Sequence, residues 1–381
     1  MLSLDCKFPG GNILAYESHG DVLYVKPDPR DTEGTWFYWA FRVRGAAGRT
    51  LTFRFVSGHP VGVRGPAVST DGRLTWRWVE DAFDKDAFTV SIPSGCEEAY
   101  FAFAPLYTQE NWTRFLAALP TGSFQAGSFA TSRKGRPVEI LHLGAEPDKA
   151  PCHALLTARH HCCEMIADYT LEGFAATLAA DASREASWLR ENVSALIVPF
   201  ADKDGVEDGD QGKNRLPHDH ARDYGRDDPI YPETIAISKL VRTLIKRHGK
   251  LDFVADLHCP WIRGDCNETV YMVGKDLPGD ALFRRRFGSL LERLNPPDAL
   301  PYGTKNDIPY GVGWNTAANY TKGATLPGWA GKLLGVRAVA SFEIPYANAS
   351  GVPVTPDAAR QLGVGIARAL ARFLGKGRRL R

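Results

Sequence analysis

The sequence predicts an all-β sandwich over residues 1–125, followed by an α/β domain with a mixed central sheet over residues 126–381. Three observations point there. The first part carries short runs of β-branched and aromatic residues, separated by turn residues about every ten to fifteen positions, as in sandwich strands. From Val138 onward, short apolar runs alternate with helix-period segments, the pattern of a layered α/β sheet. Finally, His161, His258 and Glu343 fall at or just past the ends of predicted strands, where α/β folds place their ligands.

In order, the sandwich strands are expected at Val22–Val25, Thr35–Val43, Thr50–Val56, Leu74–Trp78, Phe88–Ile92 and Tyr100–Ala104, with Pro60 and Asp71-Gly72 marking turns. The aromatics Trp36, Phe37, Tyr38, Trp39, Phe41, Trp76 and Trp78 suit either a carbohydrate platform or a core. Their strand-like alternation favours core and interdomain packing. Ala126–Arg136 is Gly/Ser-rich and basic and reads as a linker or a loop beside a cleft. Strands follow at Val138–Leu143 and Leu155–Thr157, then a helix over 161–180 and a strand at Ala195–Phe200. Beyond a long polar stretch come a helix at Pro232–His248, strands at Phe253–His258 and Thr269–Val273, and a helix near Ala281–Leu294. The chain closes with a strand at Ala338–Ile344 and a helix at Ala358–Leu374. The basic tail, Lys376 to Arg381, reads as a solvated end.

Composition excludes several classes. A net charge of +2 gives no global attraction to nucleic acid or a membrane surface. No apolar run approaches the roughly 18 residues of a membrane helix. The N-terminus lacks the basic and apolar regions of a secretory signal. Seven cysteines, with Cys162 and Cys163 adjacent and no CxxC, suit a reduced, cytoplasmic protein. Cys259 is expected to pack rather than react.

His161 and Glu164, three apart, are expected on one face of a first helical turn, where an imidazole and a carboxylate suit zinc. With ten His in the chain this spacing is a weak signal alone. His258, ending the run Phe253-Val-Ala-Asp-Leu-His258, supplies a second imidazole and leaves a fourth zinc position for water. Asp256 is a candidate partner for it, against which stands the tendency of alternating strand residues to face apart. Ser341-Phe-Glu343-Ile-Pro-Tyr346 sets a carboxylate in an apolar strand, a placement that is rare without a partner or a function.

The order of these pieces resembles the M14 zinc carboxypeptidases. The matching segments are His161-Cys-Cys-Glu164, Asp219-His-Ala-Arg222, Asp256-Leu-His258 and Phe342-Glu343-Ile-Pro-Tyr346, with Pro199-Phe-Ala-Asp-Lys-Asp204-Gly205 as a degenerate form of a further family segment. They span roughly residues 130 to 375. A preceding sandwich ending in Phe103-Ala-Pro105-Leu-Tyr107-Thr108 is similar to that of the cytosolic carboxypeptidase branch. The resemblance implies a zinc carboxypeptidase-like fold and one zinc ion on His161, Glu164 and His258. It implies Glu343 as the general base that takes a proton from water and passes it to the leaving amine. It implies Arg215 as the oxyanion-stabilising cation, Arg222 as the clamp on the substrate's terminal carboxylate, and Tyr320 as a mobile cap, with Tyr310 and Tyr302 as competitors. The implied substrate is the C-terminus of a peptide or protein.

Arg263, just past His258, would favour acidic terminal residues if it reached the specificity pocket. Lys322 to Ala340 holds Lys322, Lys332 and Arg337 but no acid. One departure stands out. The family's Asn before the clamp arginine is Ala221 here, so His218, His220 or Asn214 would have to substitute, or carboxylate preference relaxes. Two other readings remain open at this point, a zinc amidohydrolase acting on N-acyl amino acids and a non-catalytic peptide-binding protein. The oligomeric state is left open.

Overall fold

The computed structural model describes residues 2–80 and 82–375; the basic tail noted above lies outside the described residues. Among the described residues, nine strands form the N-terminal part: β1 Ser3–Asp5, β2 Leu14–His19, β3 Val22–Lys26, β4 Ala40–Arg44, β5 Thr50–Phe55, β6 Ala67–Ser69, β7 Arg77–Trp78, β8 Ala87–Ser91 and β9 Glu98–Ala102. They make a five-stranded sheet, β1-β4-β9-β6-β7, and a four-stranded sheet, β2-β3-β5-β8. Phe41 and Phe101 from the first sheet meet Phe53 from the second at ring distances of 4.9 and 5.2 Å, and Trp39 stacks on Phe88. All five rings are buried and form the sandwich core; Trp36, Trp76 and Trp78 are half-buried against it, and Phe37 packs on Trp261 and Tyr346 of the sheet domain.

Two expectations fail at the junction. Residues 1–125 are not all-β: α1, Gln109–Ala118, follows the sandwich, opened by a capping box between Thr108 and Asn111. Nor is 126–136 a linker. Phe124–Thr131 is strand β10, which turns back onto β11, Pro137–Gly144, with the Ser132 amide donating to the Arg136 carbonyl at 2.9 Å. Small residues in this outward-facing strand hid the pattern.

The remaining elements are β12 Cys152–Ala158, α2 Ile166–Ala180, α3 Arg184–Asn192, β13 Val193–Val198, α4 Lys203–Asp208, α5 Pro232–His248, β14 Phe253–His258, β15 Tyr271–Met272, α6 Asp280–Leu294, α7 Leu326–Ala330, β16 Val339–Glu343, β17 Asn348–Ala349, β18 Val352–Pro353 and α8 Pro356–Leu374. A seven-stranded sheet runs β10-β11-β13-β12-β14-β16-β15, parallel from β13 to β16 and antiparallel at both edges. The central strands are almost wholly buried and mostly apolar, as a sheet covered on both faces requires. Helices α2, α3, α6 and α8 pack together on one face, and α5 and α7 cover the other.

Helix α2 lies unusually close to α8. A Cβ on Gly173 would stand 1.8 Å from the Arg360 carbonyl oxygen, and one on Gly363 would stand 2.0 Å from that of Thr170. Only glycine at both crossings permits the approach. The sandwich is fastened to the sheet domain by buried polar contacts. Asn12 donates to the Gly209 carbonyl at 2.7 Å, and the Tyr38 amide donates to Gln211 Oε1 at 2.8 Å.

Candidate active site

The site lies at the C-terminal ends of β12, β14 and β16. Strand β12 stops at Ala158, and Arg159 takes a left-handed conformation, φ +62°, uncommon for a residue with a Cβ. Its buried guanidinium fixes the reversal by donating to the Cys162 carbonyl at 2.8 Å and the Tyr107 carbonyl at 3.0 Å, and by pairing with Asp168. His160, His161 and Glu164 sit in this turn. His161 and Glu164 therefore precede α2 rather than riding on its first turn as the spacing suggested, with the Glu164 amide donating to the His161 carbonyl at 3.1 Å.

Strands β14 and β16 run in register, so His258 is opposite Glu343. Glu164 is the hub. His161 Nδ1 lies 2.9 Å from one carboxylate oxygen, His258 Nδ1 2.8 Å from the other, and Lys213 Nζ 2.7 Å from the first. Behind the imidazoles stand two more carboxylates. Asp256 Oδ2 is 2.7 Å from His258 Nε2, and Asp219 Oδ1 is 3.7 Å from His161 Nε2. Asp256 and His258, two apart on one strand, share a face, as the strand period of two requires.

Burial opposes charge on Glu164, yet Lys213, His161 and His258 hold its carboxyl well below the usual range. Against the same burial, Asp256 and Glu164 push His258 well up. Burial, aided by the Glu164 charge, pushes Glu343 up despite His258 and Lys213. Among the described residues, Glu343 Oε2 is a buried oxygen without a hydrogen-bond partner.

The donor set suits a divalent metal. The ligand atoms of His161, Glu164 and His258 lie within 4.8 Å of one another. Both imidazoles turn Nδ1 inward and Nε2 onto a carboxylate, the backing that fixes metal-binding histidines. A cleft of about 400 Å³ opens over this centre, and Glu343, Lys213, Arg222, Tyr320, Lys275, Trp261 and Trp314 line it.

Of the residues predicted from sequence, His161, Glu164, His258, Glu343, Arg222 and Tyr320 meet in this cleft. The Arg222 guanidinium stands over the Tyr320 ring at 5.3 Å, and the Tyr320 hydroxyl donates to Asn315 at 2.6 Å. Tyr310 packs behind Tyr320, and Tyr302 is bound to Asp307, so neither competitor lines the cleft.

Arg215 does not reach it. Its guanidinium pairs with Asp31 at 2.8 Å, with Asp210 at 2.9 Å and with Asp202, and it abuts His220. Three carboxylates outcompete a pocket for one guanidinium, and Lys213, two residues earlier, takes the cleft. Arg263 is also elsewhere. It donates to the carbonyls of His59 and Val61 and ties the loop after β14 to the sandwich. None of the stand-ins considered for the missing Asn lines the cleft. His218 is bound to Asp223, His220 packs on Tyr231, and Asn214 donates to the Glu33 carbonyl. Asn319 and Asn267 line the cleft instead.

Sequence reasoning missed Lys213, Lys275 and His160. Lys275 follows the edge strand β15 and is buried, which lowers its ammonium pKa to about 8. A lysine directly after an apolar edge strand was the signal available.

No protein-family model matches the chain. A Zymomonas mobilis protein described only as uncharacterized is 26% identical over 324 residues, or 81% of each chain. The solved metallo-carboxypeptidase from Burkholderia cenocepacia superposes with a TM-score of 0.81 at 19% identity, covering 99% of this chain and 100% of that one. The metallo-carboxypeptidase from Pseudomonas aeruginosa, in complex with (2-guanidinoethylmercapto)succinic acid, gives 0.78 at 20% identity and covers 100% of each chain. The carboxypeptidase A of Helicoverpa armigera gives 0.51 at 16% identity over 70% of this chain and 72% of its own. Over nearly its whole length, sandwich included, this chain has the fold of the bacterial metallo-carboxypeptidases.

Proposed function

We propose that this chain is a zinc-dependent metallocarboxypeptidase that hydrolyses the C-terminal peptide bond of a peptide or protein and favours acidic terminal residues. One observation carries the reading: the unpartnered oxygen of Glu343 stands beside the His161–Glu164–His258 donor set in a cleft that also holds Arg222. The two full-length structural neighbours named above are both metallo-carboxypeptidases, which supports it.

Zinc held by His161, Glu164 and His258 would supply Lewis-acid polarisation of the scissile carbonyl and acidify a water molecule. Glu343, its pKa raised toward the working range by burial, accepts a proton from the attacking water and donates it to the departing amine. Lys213, rather than Arg215, is the cation that faces negative charge growing on the carbonyl oxygen, from its place beside Glu164 in the cleft. Arg222 presents a planar fork to the terminal carboxylate, and Tyr320 covers it. Lys275 gives the cleft a buried positive charge that suits an aspartate or glutamate side chain, the role that Arg263 does not fill. Asn319 stands in for the amide missing at Ala221.

The test is a hydrolysis screen of zinc-loaded protein on blocked dipeptides with free or amidated C-termini and acidic, basic or apolar last residues, alongside N-acetyl amino acids. Cleavage is expected only with a free carboxylate and fastest with a terminal Asp or Glu. Cleavage confined to acetylated amino acids would overturn the carboxypeptidase reading in favour of an amidohydrolase.

A further inference from the structure

Behind the metal centre lies a second buried imidazole that the proposed chemistry does not use. His160 is fully buried, and both of its ring nitrogens are engaged. Nδ1 is 2.8 Å from Asp256 Oδ1, and Nε2 is 2.6 Å from the Tyr224 hydroxyl. Asp256 also accepts from Thr157 Oγ1 at 2.7 Å, and its other oxygen is 2.7 Å from His258 Nε2. One carboxylate thus sits between two imidazoles.

Proton counting gives the direction of the bonds to Asp256, whose carboxyl, against burial, the two imidazoles hold well below its usual range. An ionised carboxylate only accepts, so His160 donates from Nδ1 and His258 donates from Nε2. His160 Nε2 pairs with the Tyr224 hydroxyl, which is buried and keeps its proton. His258 Nδ1, 2.8 Å from Glu164 and among the other ligand atoms, is the nitrogen that a bound metal would take in place of a proton. Tyr224, His160 and Thr157 therefore hold Asp256 in one rotamer, and Asp256 holds His258 in the one tautomer and ring orientation that a metal can use.

We infer that His160 and Tyr224 are positioning residues for the metal ligand His258, acting through Asp256, and that zinc affinity depends on the hydrogen bonds they make rather than on the volume they fill. The inference rests on the assignment of His161, Glu164 and His258 as the zinc ligands.

The experiment measures the zinc dissociation constant of the full-length protein by competition with a chromophoric chelator, for wild type, H160L, H160Q and Y224F. Leu removes both hydrogen bonds. Gln can donate to Asp256 and accept from Tyr224. Removing such a backing partner costs about 10- to 100-fold in metal affinity, so H160L should bind zinc that much more weakly. Y224F should show a smaller loss, and H160Q, which keeps both bonds, should stay within about threefold of wild type. Zinc affinity unchanged in H160L overturns the inference, as does a loss in H160Q equal to that in H160L, which would mean packing alone. If H160L does not fold, Y224F and H160Q decide, and wild-type affinity in Y224F overturns the inference. A wild-type chain that binds no zinc overturns the ligand assignment itself and is read before any variant.

Discussion

Two buried charge clusters flank the segment from Gly209 to Arg215, and they differ in what they leave unsatisfied. Around Arg215, three carboxylates from Asp31, Asp202 and Asp210 meet one guanidinium, and backbone amides of Gly205, Gln211 and Gly212 donate to Asp202 and Asp31. Around Glu164, one carboxylate faces two imidazoles and a lysine, while Glu343 beside it has an oxygen with no partner. The first cluster joins the sandwich to the sheet domain, and each of its charges has a partner. The second is open to a cleft and keeps unspent capacity to bind. Composition does not separate them; satisfaction of polar atoms does.

That contrast is most exposed at Glu343. Glu343→Gln keeps the shape and removes the proton acceptor. Turnover should fall by about 10²- to 10⁴-fold, with zinc content and thermal unfolding unchanged. A variant with wild-type kcat would place the base elsewhere.

Arg215→Met should do the reverse. Stranding buried carboxylates should lower stability by roughly 3–5 kcal/mol, while the protein that remains folded turns over substrate at close to the native rate. Denaturant midpoints together with active-site-titrated kcat separate the two effects. A loss of kcat at unchanged stability would restore Arg215 to the chemistry.

Lys275→Met tests the cleft's side-chain preference. It should lower kcat/KM for peptides ending in Asp or Glu by about 10- to 100-fold, the worth of a hydrogen bond to a charged group, and spare those ending in Leu. The sign with pH follows from burial, which lowers this lysine to about 8. Below that value the ammonium is charged and attracts an acidic side chain. As pH rises through about 8 the charge is lost, so the acidic-over-apolar ratio of kcat/KM should decline, and in K275M it should be flat. A wild-type ratio that is flat from pH 6 to 9 would remove Lys275 from the specificity pocket.

The smallest effect is expected at Arg263. Arg263→Ala releases the carbonyls of His59 and Val61 and should cost about 1–3 kcal/mol of stability with no change in residue preference. A shifted preference would mean that the sandwich contact shapes the pocket.

The part of this site that was legible in the sequence is the part written as local pattern. His161 with Glu164, His258 at the end of an apolar run, and Glu343 inside one are each visible within a few residues, and the strand register then brings them together. Arg222 and Tyr320 came with the order of motifs. Lys213 and Arg215 could not be told apart in one dimension. Which of the two enters the cleft is decided by Asp31, nearly two hundred residues earlier, and by Asp202 and Asp210. His160 was hidden by its neighbour, since only the left-handed turn at Arg159 sends consecutive imidazoles to different carboxylates. In the fold, α1 and strand β10 were missed because a short capped helix and a strand of small residues lack a long hydrophobic period.

The glycine crossing of α2 and α8 gives the proposed metal centre a remote dependence. Helix α2 begins two residues after Glu164 and behaves as a stiff rod, so its seating on α8 sets where the ligand carboxylate stands. A single added methyl at Gly173 or Gly363 meets backbone, which cannot rotate out of the way, and the rod must slide or tilt. Substitution at either position is therefore expected to disturb the proposed ligand set, although neither glycine lines the cleft. A mutational scan scored on activity alone would report them as active-site residues.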